Sequence, residues 1–169
     1  MRSLAIGLMV VGLMGIAVVG IPSPASPANK VVIGVLDFET SGPVGGRLGG
    51  MKKATMKELK TNTQVKIINI RESCKFSDLE KNGFEGTETY KINYQLDMIL
   101  HIHAWRPAIK AWHFDFSLID LYTKKVRKYS DETRGIPFKN WVRGLSKKIL
   151  KKKDLDRVLK AKKEALGEK

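Results

Sequence analysis

The feature that most constrains the fold is VVIGVLDF, Val31 to Phe38, a run that is apolar almost throughout and carries a single charge, Asp37. A strand with alternating polarity can leave one face in water. A continuous apolar run cannot, so it demands cover on both faces and reads as a central strand. A Gly-rich loop follows over Ser41 to Gly50, with Pro43 inside it. Leu48, Met51, Thr55 and Leu59 then fall on one face of an expected helix over Leu48 to Lys60. Gln64 to Arg71, with VKIINI at its centre, reads as a second strand. A helix between two neighbouring strands implies parallel pairing.

Ser77 and Glu80 have capping-box spacing and predict a short helix. Asn82 to Asn93 is polar, with Gly83 and Gly86, and reads as a loop. In Gln95 to Trp105, Leu96, Met98, Leu100, Ile102 and Ala104 share one face; Arg106 and Pro107 then interrupt the chain. Phe114, Phe116 and Leu118 alternate with His113, Asp115 and Ser117 in Ala111 to Leu121, and Val126 to Glu132 follows a turn. Such alternation with short connections predicts antiparallel strands with one buried face. Beyond Pro137, a good first residue for a helix, Phe138, Trp141, Val142, Leu145 and Ile149 form an amphipathic stripe. Asp154 is expected to cap a last helix carrying Leu155, Val158, Leu159 and Leu166. The order β-α-β-α-β-β-β-α-α implies an α/β fold: one α/β sandwich with a mixed sheet of about five strands, plus C-terminal amphipathic helices.

Residues 1–28 have the layout of an export leader. Arg2 precedes a charge-free apolar run from Leu4 to Ile21, and Pro22, Pro24 and Pro27 break it among small residues. The segment is expected to be a cleaved signal peptide or, because the run approaches a membrane span in length, an N-terminal membrane anchor. A periplasmic or secreted chain follows, or one held at the inner membrane by residues 4–21. Residues 29–150 would be the domain and 151–169 a basic C-terminal helix. The only cysteine, Cys74, excludes an internal disulfide framework and lies far from the leader, so lipid attachment is not expected.

Several of these segments resemble a bacterial envelope family: the domain shared by the curli secretion protein CsgG, the amino-terminal domain of TolB and the penicillin-binding-protein activator LpoB. VVIGVLDF followed by Leu48 and Gly49 is similar to the family's first strand and helix start. Ile70, Arg71 and Glu72 before Phe76 to Lys81, Leu96 to Ala104, and FDFSLIDLYTKKV from Phe114 to Val126 resemble its later motifs. The chain departs from the pattern at Asp37, where the family has Pro, and at Lys124, where it has Gly. Over roughly residues 31–134 the resemblance implies the fold, an envelope location and a non-enzymatic, partner-binding role, with an envelope protein or a second copy of the chain as partner.

Charge adds a second kind of partner. The chain has 31 Lys plus Arg against 17 Asp plus Glu, a net charge of +14. Twelve basic and four acidic residues fall between Phe138 and Lys169. In a cytoplasmic protein this would point to nucleic acid; for an exported chain it points to an anionic membrane or envelope polymer. The candidate surface-binding residues are Lys147, Lys148, Lys151, Lys152, Lys153, Lys160, Lys162 and Lys163 in the tail. Trp105, Arg106, Lys110 and Trp112, an aromatic pair around a basic connector, form a second candidate patch.

The sequence carries little that specifies a reaction. Gly45 and Gly50 have the offset of a phosphate-binding loop, but Met51 stands where its Lys is needed and Lys52 where its Ser or Thr is needed. Ser73 and Cys74 have no nucleophile-elbow or papain-like context. Asp37, Glu39 and Asp115 could supply paired carboxylates, with nothing to select them. His101 and His103, two residues apart on a strand, point to one face, and His113 and Asp115 alternate likewise on the next strand. If register allows, they converge as an alternative metal- or ligand-binding cluster, although zinc needs three or four ligands. The leading expectation is a non-catalytic interaction protein without a cofactor; an exported enzyme acting on an anionic polymer is the further alternative.

Overall fold

The computed structural model describes residues 29–41, 48–71, 75–81, 83–108, 111–134 and 136–167. The leader, part of the Gly-rich loop, Ser73, Cys74 and Lys110 lie outside the described residues. β1 (Val31–Val35) is central, paired in parallel with β3 (Val65–Asn69) on one side and with β4 (Met98–Ala108) on the other. β4 pairs antiparallel with β5 (Ala111–Asp120), and β5 with β6 (Val126–Glu132), giving the order β3-β1-β4-β5-β6. A short β2 (Glu39–Ser41) also runs parallel to β4, so the mixed sheet has six strands.

The strand expected over Val31 to Phe38 thus ends at Val35, and β2 begins just beyond the expected end. Leu36 keeps a bond to β4, its N–H donating to the Leu100 carbonyl at 3.2 Å. Asp37 turns instead to Lys52, whose ammonium also donates to the Ile70 carbonyl at 3.2 Å. β2 then resumes beside His103–Trp105. Arg106 and Pro107 do not end β4; the strand continues to Ala108 with a register shift after Trp105.

The sheet is covered on both faces, as the apolar β1 requires. On one face Val31, Ile33, Val35, Leu100, Ile102, Phe114 and Phe116 pack with α1 (Leu48–Leu59), α4 (Phe138–Trp141), α5 (Leu145–Ile149) and α6 (Lys152–Leu166). On the other, Val32, Leu36, Ile70, Leu96, Ile99 and Ile119 pack with α2 (Phe76–Lys81) and α3 (Thr87–Tyr94). α3 occupies what the polar composition marked as a loop; Thr87 is its buried contact, and Gln95 closes it in a left-handed conformation, φ 50°. The stripe after Pro137 is two helices, because Gly144 at φ 79° breaks it between Trp141 and Leu145. Gly34, in mid-strand, is required by packing: a Cβ there would sit 2.5 Å from the side chains of Ile70 and Leu96.

α6 is not a loose tail. Leu155 and Val158 are buried in the main core. The helix also crosses one end of the sheet and is clamped to successive strands. Asp154 pairs with Arg127 at the start of β6 rather than capping its own helix. Arg157 Nε faces the buried Asp120, at the end of β5, at 3.5 Å. Lys162, 4 % exposed, donates to Asp97, just before β4, at 2.9 Å and to the Lys30 carbonyl, just before β1, at 3.1 Å. From Asp154 to Lys162 a helix advances about 12 Å, close to the roughly 10 Å across three neighbouring strands. The clamps therefore follow from matching the two repeats.

Asp97 is well satisfied for a buried carboxylate. Besides Lys162 it accepts the Val32 N–H at 2.7 Å and the Tyr122 hydroxyl at 2.8 Å. Burial, and then the bond to this carboxylate, push the Tyr122 phenol above its ordinary pKa. Removing one member of such a pair strands the other, which costs about 3–5 kcal/mol, whereas replacing both members is far milder. Lys162→Met is expected to lower unfolding stability by that amount, and adding Asp97→Asn to restore most of it, in urea titrations of the three variants.

Candidate functional site

The face covered by α2 and α3 is apolar only near the start of β4. Farther along β4 the sheet alternation directs His101, His103 and Trp105 to that face. Register places Ser117 opposite His101, Asp115 opposite His103 and His113 opposite Trp105. β6 adds Ser130 opposite Asp115 and Glu132 opposite His113. β2 brings Glu39 beside His103. The result is a polar stripe with a cavity of about 330 Å³ bounded by His101, His103, Asp115, Ser117 and Ser130 on the sheet and Phe76 on α2.

The histidines do share one face, but each faces a carboxylate of its own. His101, buried, has Nε2 3.0 Å from Glu39 Oε2, which also accepts the Phe76 N–H at 3.1 Å. His103 Nδ1 lies 3.6 Å from Asp115 Oδ2, and its Nε2 meets the Ser41 hydroxyl at 2.7 Å. His113 Nε2 is 3.0 Å from Glu132 Oε2, with its ring stacked on Trp105 at a centroid distance of 4.5 Å. Among the described residues, no three His, Cys, Asp or Glu side chains are placed to hold a metal ion. Strand spacing sets the rings side by side, and nearby acids take each ring separately. Of the three carboxylates the sequence offers, Asp37 is held by Lys52, while Glu39, facing His101, and Asp115, bonded to Ser130 at 2.6 Å, line the same cavity.

The aromatic patch divides between the two faces. Trp105 belongs to the polar stripe, whereas Trp112 packs on the main core near Phe114, with Arg106 Cζ 5.7 Å from its ring centre. Trp141 is buried against Phe114, with ring centres 4.6 Å apart.

The lysines of the tail play different parts. Lys162 is inside and cannot offer its ammonium to an anionic surface, because Asp97 and the Lys30 carbonyl hold it in the core. Lys148 donates to Asp131 at 2.8 Å. Lys152 meets Asp156 at 2.7 Å and Lys160 meets Glu164 at 3.9 Å, exposed pairs of little energetic weight. Lys147, Lys151, Lys153 and Lys163 are exposed. The basic face is thus narrower than the sequence count, and it lies at the opposite end of β4 from Trp105, which is about 26 Å along the strand from Asp97.

Two features escaped the sequence reading. The partner of His103, Ser41, lies in a stretch that reads as loop. The role of Lys162 leaves a trace: it lies seven residues after Leu155, on the buried stripe of α6.

No protein-family model matches the chain. No curated protein matches it either. Solved structures of similar outline include a PelC dodecamer from Paraburkholderia phytofirmans, 12 % identical, with 82 % of this chain and 94 % of that one aligned at a TM-score of 0.47. Another is the hypothetical protein CT253 from Chlamydia trachomatis, 12 % identical, over 80 % of this chain and 97 % of that one, TM-score 0.42.

Electrostatics at the edge of the basic face can be checked directly. Burial opposes ionisation of Asp131, but bonds from Lys148, Tyr129 and the Glu132 N–H outweigh it and hold the carboxyl below its ordinary pKa. Lys148 is raised in turn, chiefly by its bond to Asp131. A depressed carboxylate contributes stability that is present above the ordinary carboxylate range and is lost as pH falls through its lowered value. In carboxyl NMR titrations, Lys148→Ala is expected to move the Asp131 pKa upward and so shift this loss to higher pH.

Proposed function

We propose that this chain is an exported envelope protein that acts as an interaction module. Its α/β domain docks an envelope protein or a second copy of itself, and the exposed lysines of α5 and α6 favour an anionic surface. What supports export is the layout of residues 1–28. What supports an envelope partner is the resemblance to the CsgG, TolB amino-terminal and LpoB domains. Among the described residues, no helix is long and apolar enough to cross a membrane.

The observation that carries the surface role is the mounting of α6. Leu155, Val158 and Lys162 fix one side of the helix in the core, which leaves Lys153 and Lys163 exposed on the other, beside the exposed Lys151. A helix so fixed presents its charges in one direction. It carries no aromatic residue to insert, and Leu166 at its end is its exposed large apolar side chain, so attraction would be chiefly electrostatic and weakened by salt.

Truncation at Leu150 is a poor test, because it strips Leu155, Val158 and Lys162 from the fold. Charge substitution on the folded chain is clean. Residues 29–169 are expected to bind phosphatidylglycerol-containing vesicles and not neutral phosphatidylcholine ones. With each surface lysine contributing about 1 kcal/mol, replacing Lys151, Lys153 and Lys163 by Gln should weaken binding on the order of 100-fold. Equal binding to both vesicle types, or an unchanged affinity in the triple variant, contradicts the surface role.

A further inference from the structure

We propose that Ser41, His103 and Asp115 form a nucleophilic relay that hydrolyses esters of polar alcohols. This goes beyond the docking role, uses the opposite end of the sheet and revises the expectation of a non-catalytic chain. The observation is the order of contacts. Asp115 Oδ2 faces His103 Nδ1 at 3.6 Å, and His103 Nε2 meets the Ser41 hydroxyl at 2.7 Å. A carboxylate beside Nδ1 favours the proton on that nitrogen and leaves Nε2 as the acceptor for the serine O–H. A serine, a base within hydrogen-bond reach and an orienting carboxylate are the parts of an activated nucleophile, recognised by geometry and not by position in sequence. The looser carboxylate distance is in keeping with an unliganded site, where such contacts tighten only around substrate.

Three further facts favour chemistry over a passive tie between strands. Ser41 is exposed, so an acyl carbon can reach its Oγ. Asp115 is itself steered by Ser130, whose hydroxyl donates to its other oxygen at 2.6 Å. His103 lines the cavity of about 330 Å³, together with Glu39, Ser117 and Ser130. The leaving oxygen must sit beside the histidine to receive its proton, so the alcohol half of the substrate falls in this polar cavity. Its hydroxyl and carboxylate groups suit an alcohol that carries further hydroxyl groups, with Phe76 and Phe116 as apolar walls beside them.

The steps balance with water as the second reactant. Ser41 Oγ attacks the acyl carbon while its proton passes to His103 Nε2. The bond from that carbon to the alcohol oxygen breaks, and the proton on Nε2 goes to that oxygen. Water then attacks the acyl-serine and gives a proton to Nε2. The bond to Oγ breaks, Oγ takes the proton back, and the carboxylic acid leaves. Asp115 exchanges no proton with substrate or water in these steps; it is a positioning residue that acts through His103.

The test uses the full mature chain, with a fluorophosphonate as trapping probe and p-nitrophenyl acetate as substrate. The fluorophosphonate adduct is expected at Ser41 when the wild-type chain is mapped by mass spectrometry, a readout that needs no variant to fold. His103→Gln should slow labelling about 100-fold or more, the range of a general base, and Ser41→Ala should abolish it. Asp115→Asn should lower kcat for the acetate ester and leave KM unchanged. Absence of an adduct on Ser41, or one that forms equally fast in His103→Gln, overturns the proposal and leaves the Ser41–His103 contact as a link between β2 and β4. Neither readout depends on vesicle binding, so this proposal and the surface role fail separately.

Discussion

Lys162 and Asp97, both nearly fully buried, join the last helix of the chain to the first strands of its sheet. The pair matters less for its net energy than for what it specifies. A buried ion pair contributes little compared with well-packed apolar residues, but it does not tolerate a missing partner. Asp97 also takes the Val32 N–H and the Tyr122 hydroxyl, so it meets β1, the turn after β5 and α6 at one point. A shift of α6 by one residue would move Lys162 off Asp97 and Leu155 off the core together. The position of the helix is therefore fixed, and so is the direction in which its remaining lysines face.

Much of the architecture was legible because it rests on periodicity. Continuous apolarity at Val31–Val35, alternation through Phe114–Leu118 and the stripe from Phe138 to Ile149 each matched a buried face. What was not legible depends on contacts distant in sequence. β2 is three residues long and has no pattern of its own; it exists because Glu39–Ser41 can pair with β4 some sixty residues later. α3 was hidden by its polarity, since Ile92 is 74 % exposed and Thr87 is its buried residue. The turn after β5 holds Lys124 at φ 57°, a left-handed conformation that no local pattern announces.

The same division holds for the candidate sites. The shared face of the histidines followed from strand alternation alone. Their separate carboxylates did not, because Glu39 reaches His101 from another strand and Glu132 reaches His113 from a third. A count of lysines overstates the basic surface for a similar reason. Sequence records a charge but not whether it is spent on Asp131, Asp156 or Asp97. The two candidate regions end up at opposite ends of β4, a basic one built on α6 and a polar one built on β2, β4, β5 and β6. Each can change without the other.

The central claim is that α6 is part of the domain and not an appended tail. Native-state hydrogen exchange tests it most directly, because helices that open alone exchange at lower free energy than the core they leave. The account predicts that the amides of Leu155, Val158 and Leu159 exchange with the same opening free energy as those of β1 and β4. Exchange of α6 at the rate of a frayed terminal helix, with the sheet still protected, would contradict it.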